Sequence, residues 1–533
     1  MKNQLMNRVP RKALLLLLAV VALAATSCRK FLDPKPKDVI LDKDYLNDYW
    51  DAQFLLRGAY QALQPMVDYM FVLGEMRGDW VKPGTGADKD LLELAEHKVT
   101  PTNRYTNWSV FYDLINRANY VIKNVPRIPL DANNFSEFNR KQYIGEAKFL
   151  RSLAYFYLVR NFDAVPLVLE PTDSIQKVAY LPAIAGDSIL NFIEKDLKDA
   201  YETTDIQIWV PNSFDAGLRV SGEMTRARAT KGTVCALQAE VYLWRNKYAE
   251  AAAACQAWQN TGQYPFILNG TTAWFSIFTL DNQLFNEQMF QVIFTFASRE
   301  TSSLMKLTSN DPASGGQYMV APSEVAVKSY NPNWPNSIGT SNTTDELYRG
   351  FGNSYAGSAP FYNRVNSNPV IWKFNGLATV KPANVDVPAN VRAPYQSDYR
   401  WHVYRQADVY LLWAEALNRL NDKASAIARI NSVRSRAGMT MPASITATSS
   451  TEAIEDFILK ERALELGFEG RRWFDLVRMA RRGRVPVLID AVKKRAPAAL
   501  HPHLEETLAQ SKNWYLPYNA EELRLNPQLK PKP

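Results

Sequence analysis

A mostly α fold, built on tetratricopeptide-like helix pairs and carrying one large irregular loop-rich region, is predicted by three features of the 533-residue chain. Apolar residues recur at helical spacing from about residue 41 to 270 and again after 400. Residues 271–399 lose that period; they are rich in Asn, Ser, Gly, Pro and aromatic side chains, and predict ordered irregular structure carried on the helices. Two alanine pairs, Ala239 with Ala251 and Ala414 with Ala426, stand twelve residues apart across the short polar turns Arg245-Asn246-Lys247 and Asn421-Asp422-Lys423. Small residues at those places let two antiparallel helices approach closely, which is the packing logic of helical repeats.

In chain order, residues 1–27 read as an export leader. Lys2, Arg8, Arg11 and Lys12 precede an apolar stretch from Ala13 to Ala25, too short to span a bilayer comfortably. Ala25-Thr26-Ser27-Cys28 is the arrangement that a lipoprotein peptidase cuts, leaving Cys28 as the lipidation site and the lipid as the only membrane attachment. Residues 28–40, with Pro34 and Pro36 and no apolar period, form a tether. Residues 41–533 are expected to form a single domain, with 41–270 and 400–533 as helical scaffold and 271–399 as the irregular part. The spacing predicts helices near 44–63, 103–125, 137–161, 187–203, 224–245, 247–260, 405–420, 422–437 and 451–469. Strand signals are few, with Val165–Leu169 and Phe290–Phe296 as candidates. The chain should end in a polar tail anchored by Trp514, Tyr515, Leu516 and Leu523, closing on Pro-rich coil.

Composition excludes some classes. Loss of the four basic leader residues takes the formal net charge from +8 to +4, leaving no strong electrostatic attraction for nucleic acid. Apart from Cys28 only Cys235 and Cys255 remain, both in Ala-rich helical pattern; they predict small buried thiols or at most one disulfide, with no metal-ligand spacing.

Several segments in order resemble the SusD/RagB family of outer-membrane nutrient-binding lipoproteins. They are "CRKFLDPKP" from Cys28, "GEAKFLRSLAYFYLVRNFDAVPLV" (Gly145 to Val168), "TRARATKGTVCALQAEVYLWRNKYAEAAA" (Thr225 to Ala253), "YRQADVYLLWAEALNRL" (Tyr404 to Leu420) and "INSVRSRAG" (Ile430 to Gly438). The most specific is "ILKERALELGFEGRRWFDLVR", Ile458 to Arg478, and "YLPYNAEELRLNPQL" carries the likeness almost to the end. The resemblance implies a SusD-like helical scaffold, an irregular ligand-binding region and no cofactor. It also implies a lipid-anchored place at the outer membrane facing the cell exterior, and a SusC-like TonB-dependent transporter as partner. The ligand it implies is an oligosaccharide or polysaccharide, or a peptide as its RagB branch allows. Directly after Cys28 stand Arg29 and Lys30, where many surface-exported relatives carry an acidic cluster.

Several segments carry partial catalytic signatures. Glu465 and Glu469 would be the carboxylate pair of a surface glycosidase, but Arg462, Arg471 and Arg472 lower carboxyl pKa values and work against a general acid. If 458–478 is helical, Glu469 with Arg472, Arg471 with Asp475 and Asp475 with Arg478 are spaced to pair. Gly352-Asn353-Ser354-Tyr355-Ala356 is one residue short of a nucleophile elbow, and Gly84-Thr85-Gly86 lacks the third glycine of a dinucleotide loop. His501 and His503 with Glu505 and Glu506 read as a solvated loop, so no catalytic and no metal residue is expected. Sugar binding asks for flat aromatic faces beside planar polar side chains. Trp80 with Arg77 and Asp79, and Trp274, Trp334, Tyr355 and Tyr362 in the irregular stretch, are the expected ligand-binding residues, with Trp80, Trp334 and Tyr355 foremost.

Overall fold

The computed structural model describes residues 46–131, 133–172, 180–211, 218–262, 277–278, 287–294, 300–310, 312, 315–330, 349, 368–375 and 400–532. The chain divides into a unit of residues 1–47 and a unit of residues 48–533, and every element below belongs to the second. The expected leader, the tether and Cys28 lie outside the described residues.

Helix α1 (Tyr49–Gln61) starts where the Asp48 carboxylate accepts from the amides of Trp50 and Asp51, satisfying first-turn N–H groups that have no intrahelical partner. It buries Tyr49, Ala52, Leu56 and Ala59 at helical spacing. Helix α2 (Met66–Glu75) is not among the expected helices, because burial on nearly every face leaves no amphipathic period to read. Strand β1 (Val81–Pro83) and helix α3 (Lys89–Glu96) lead to α4 (Ser109–Asn124). The helix expected from 103 begins at Ser109 because Arg104–Thr106 form a separate 3-10 turn, with the Asn103 side chain accepting from the Tyr105 amide.

Helix α5 (Glu137–Phe162) runs through the middle of the scaffold. A capping box of Ser136 and Asn139 opens it, and from Gly145 to Phe162 every residue but Lys148 is buried. The buried charged side chains on that stretch are paired: Glu146 with Arg228, Arg151 with Asp196, Arg160 with Glu240. Helix α4 packs along it, as does α6 (Gly186–Thr203). The expected strand at 165–169 is only β2 (Val165–Pro166), antiparallel to β3 (Ala183–Ile184). A small antiparallel pair, β4 (Trp209–Pro211) with β5 (Leu218–Val220), follows.

The helix expected over 224–245 is two helices, α7 (Gly222–Ala227) and α8 (Lys231–Trp244). Between them Arg228 is extended, which brings its guanidinium onto both oxygens of Glu146, at 2.8 and 2.6 Å. A buried bidentate pair outweighs one turn of helix.

Helices α8 and α9 (Tyr248–Asn260) form the first alanine-paired hairpin. The described parts of the irregular region are β6 (Gln288–Val292), α10 (Leu304–Thr308), β7 (Val320–Pro322), α11 (Glu324–Tyr330) and α12 (Trp372–Asn375), after which β8 (Trp401–Arg405) returns to pair with β6. The second hairpin is α13 (Gln406–Arg419) with α14 (Lys423–Arg436). Both hairpins turn the same way. Asn246 (φ 58) and Asn421 (φ 64) take the left-handed conformation; the next amide, Lys247 or Asp422, donates back to the carbonyl of Tyr242 or Leu417. All four alanines are fully buried. Leu243 of α8 and Ala251 of α9 then pack on Leu412 and Ala416 of α13, joining the two hairpins.

Helix α15 (Thr451–Leu466) stops three residues earlier than expected, because Phe468 (φ 71) and Gly470 (φ 74) turn the chain. The expected polar tail is instead largely helical: α16 (Arg472–Arg481), α17 (Val485–Arg495), α18 (His501–Leu508) and α19 (Ala520–Leu525). Cys235 and Cys255 are buried free thiols.

Candidate functional site

The turn from α2 into β1 carries three of the residues expected at a ligand face, and the structure places all three in the interior. Trp80 is 3% exposed, edge-on to Tyr330 at 6.0 Å, with its indole against Gly467, where a Cβ would come within 2.4 Å of Nε1. The Asp79 carboxylate takes a fork from Arg472, at 2.6 and 2.9 Å. Arg77 lies over Trp473 and donates to the Trp514 carbonyl. The glycines around these residues mark close backbone approach rather than an exposed loop: a Cβ on Gly74 would sit 2.0 Å from the Gly470 carbonyl oxygen. The segment that covers Asp79 is 393 residues away, so no local pattern reports it. Trp274, Trp334, Tyr355 and Tyr362 lie outside the described residues.

What this turn does instead is seat the irregular region. β1 pairs antiparallel with β7, Ser323 donates through Oγ to the Asp79 carbonyl at 2.5 Å, and its amide donates to the Trp80 carbonyl. A Cβ on Gly84 or Gly86 would strike the carbonyl oxygens of Tyr318 or Gln317, so these two glycines permit strand contact and no phosphate loop. The chain leaves for Trp334 from Tyr330, whose hydroxyl donates to the Leu464 carbonyl. Arg349, which separates Trp334 from Tyr355 in sequence, is fully buried against Glu461 and Glu465. The segment after Tyr362 comes back into described structure at residues 368–375, where Lys373 bonds Glu469 at 2.7 Å. Tyr330, Arg349 and Lys373 thus all bond to the 458–478 motif.

The motif itself is an array of buried ion pairs. Arg405 binds Glu287, Glu465 and Glu469; Arg436 binds Glu287 and Glu465; Arg462 binds Asp408 and Asp475; Arg478 binds Glu415 and Asp475. Of the three local pairs the spacing predicts, Asp475 with Arg478 is made, at 2.8 Å. The other two are replaced because the chain is not helical from Gly467 to Arg471: Glu469 turns to Arg405, Arg471 to Glu240 and Asp408, and Arg472 to Asp79.

These pairs decide the chemistry of the carboxyl groups. Burial opposes ionisation of Glu469, but Arg405 and Lys373 outweigh it and hold its pKa at about 2. Glu465 is likewise buried and is held well below the usual carboxylate range by Arg436, Arg405 and Arg349. A glycosidase needs one protonated carboxyl facing the substrate, and these two are ionised and enclosed. The same pairing fixes an acid limit. Glu240, opposed by burial but held by Arg160 and Arg471, also stands at about 2. A folded pKa below the ordinary value near 4.5 contributes stability that is complete above that value and is lost as pH falls through it toward 2. Thermal unfolding followed by circular dichroism is expected to show a falling Tm from about pH 4.5 downward. A Tm that stays level down to about pH 2 would mean these carboxylates are not paired.

The histidines are occupied locally. Burial holds His97 and His402 neutral, each with a pKa near 3; His97 Nε2 meets the Arg77 carbonyl and His402 meets Gln291. His501 lies against the carbonyls of Lys493 and Ala496 at the end of α17, and His503 meets Thr507. Among the described residues no His, Cys, Asp or Glu group is spaced to hold a metal ion, and no described helix is long and apolar enough to cross a membrane.

Comparison with known proteins gives one consistent family. A family model described as "SusD family" matches residues 311–533, and one described as "Starch-binding associating with outer membrane" matches residues 30–243. A SusD-like protein of Formosa agariphila is 27% identical over 484 residues, covering 85% of this chain and 88% of its own. Among solved structures, a SusD superfamily protein from Bacteroides thetaiotaomicron superposes with a TM-score of 0.71 at 22% identity, over 91% of this chain and 98% of its own. A protein described as a laminarin-binding SusD-like protein superposes with a TM-score of 0.64 at 24% identity, over 92% of this chain and 100% of its own.

Proposed function

The chain belongs to the SusD family, and from that premise we propose that it captures a polymeric glycan at the outer membrane and delivers it to a SusC-like TonB-dependent transporter. The observation that carries this reading is the anchoring of the irregular region. Its described ends are bonded to one rigid, ion-paired motif, which is how a scaffold holds binding loops in a fixed geometry while leaving their tips free to vary. The name of the laminarin-binding neighbour supports a glycan over a peptide as the ligand. Attachment through Cys28 places the protein on the membrane without a spanning helix. Seating such a protein against a transporter raises the local concentration of ligand at the pore, so individually weak contacts suffice and release stays fast.

In this reading Trp334 and Tyr355, with Trp274 and Tyr362, offer the ring faces for pyranose C–H surfaces. Trp80 is a core residue, buried against Tyr330 and Gly467. Affinity electrophoresis and calorimetry against soluble glycans and peptides test the assignment. Trp334→Ala or Tyr355→Ala is expected to weaken glycan binding about tenfold or more with the Tm unchanged. Trp80→Ala is expected to destabilise the fold by about 3–5 kcal/mol, the cost of a large core deletion. Unaltered glycan affinity in both loop variants, binding only to peptides, or release of reducing ends would overturn the reading.

A further inference from the structure

The segment after α18 and the chain's last residues close one side of a cleft of about 710 Å³, whose other walls come from Arg77, His97 and the end of α5. That volume falls within the range of small-ligand sites.

The charge in this cleft is unbalanced. Arg77 is 2% exposed, and its terminal nitrogens donate to the carbonyls of Trp514 (3.0 Å) and Leu73 (3.3 Å) and to the Asn161 amide oxygen. None of these partners is a carboxylate, and Nε has no hydrogen-bond partner. Almost every other buried arginine of the motif region is matched with Asp or Glu, so an unmatched guanidinium lining a cleft needs a reason. Lys512 and Lys530 stand exposed among the lining residues, and Asp163 is the one carboxylate among them. Two phenol rings, Tyr515 and Tyr518, line the same cleft. Burial pushes the Arg77 pKa down to about 9 and Lys532, lodged between those rings and the carbonyls of Phe162 and Leu516, down to about 7. Arg77, Lys512, Lys530 and Lys532 thus set four basic side chains around a cleft with one carboxylate.

We propose that this cleft is a separate subsite for an acidic sugar residue, carboxylated or sulfated, of the captured glycan. The tyrosine rings take the C–H face of the pyranose while Lys512 and Lys530 meet its anionic group over the Arg77 floor. Neutral glycans gain nothing from such charges, whereas a polyanion gains both affinity and association rate. This inference rests on the glycan-capture reading above and adds a substrate class to it.

The test uses the purified protein with three probes: an oligogalacturonate, a sulfated galactan oligosaccharide and a neutral laminari-oligosaccharide, each measured by calorimetry at low and high salt. The double variant Lys512→Glu, Lys530→Glu changes two exposed side chains outside the ion-paired motif, and its Tm reports that the fold is kept. Binding of either acidic probe is expected to be weakened by high salt and to fall about tenfold or more in the double variant. Which probe responds separates carboxylate from sulfate. Neutral binding without acidic binding, or acidic binding that the double variant leaves intact, overturns the subsite and leaves glycan capture standing. Failure of all three probes, acidic and neutral, overturns both.

Discussion

Arg405→Ala is expected to cost the fold about 3–5 kcal/mol and to leave little soluble protein, because the substitution strands buried carboxylates rather than removing one contact. The guanidinium is 1% exposed and reaches Glu287 at 3.0 Å, Glu465 at 2.5 Å and Glu469 at 2.8 Å, with a further bond to the Glu465 carbonyl. Arg436 also meets Glu287 and Glu465, and Lys373 meets Glu469, but neither replaces the fork that bridges all three. Arg405→Lys keeps the charge and loses the planar geometry, so an intermediate loss is expected. Thermal unfolding of the two variants beside the parent checks the order. If Arg405→Ala unfolds within a degree or two of the parent, the array is not what holds β8 to the motif.

Gly74→Ala and Gly470→Ala should rank next. A Cβ on Gly74 would lie 2.0 Å from the Gly470 carbonyl oxygen, and one on Gly470 would lie 2.5 Å from the Met70 carbonyl oxygen, both rigid backbone. Gly470 also holds φ +74, which costs an L-residue about 1–2 kcal/mol before any clash. Forcing these backbones apart adds about 1–3 kcal/mol. It also pulls the amides of Gly470 and Arg471 from Glu75 Oε1, now at 2.8 and 3.1 Å. Gly483 is the internal control. It too has positive φ (+87), but nothing lies within 4 Å of a Cβ there, so Gly483→Ala is expected to show the conformational cost alone. Equal Tm losses at Gly470 and Gly483 would show that the α2 contact contributes nothing.

The sequence made some features legible and hid others for identifiable reasons. The two alanine hairpins could be read because their determinants are local: small residues facing each other, and an asparagine able to adopt positive φ in each turn. Helix α2 was hidden because it is buried on nearly all sides and so lacks an amphipathic stripe. The tail from 472 to 525 looked polar because its arginines are many, yet Arg478 and Arg482 are inside, matched with Glu415 on α13. Tyr515, read as an apolar anchor, lines a cleft instead.

Local chemistry in the sequence therefore determined the family, the mostly helical class, the hairpin turns and the helix starts capped by Asp48 and Ser136. Tertiary structure alone decided which carboxylate each arginine meets and on which side of the surface Arg77, Asp79 and Trp80 lie. Helical periodicity and capping act over a few residues, whereas Asp79 and Arg472 meet across 393 residues. An ion pair or a buried indole is selected by whatever the folded chain brings beside it, and a residue's sequence neighbours carry no record of that partner.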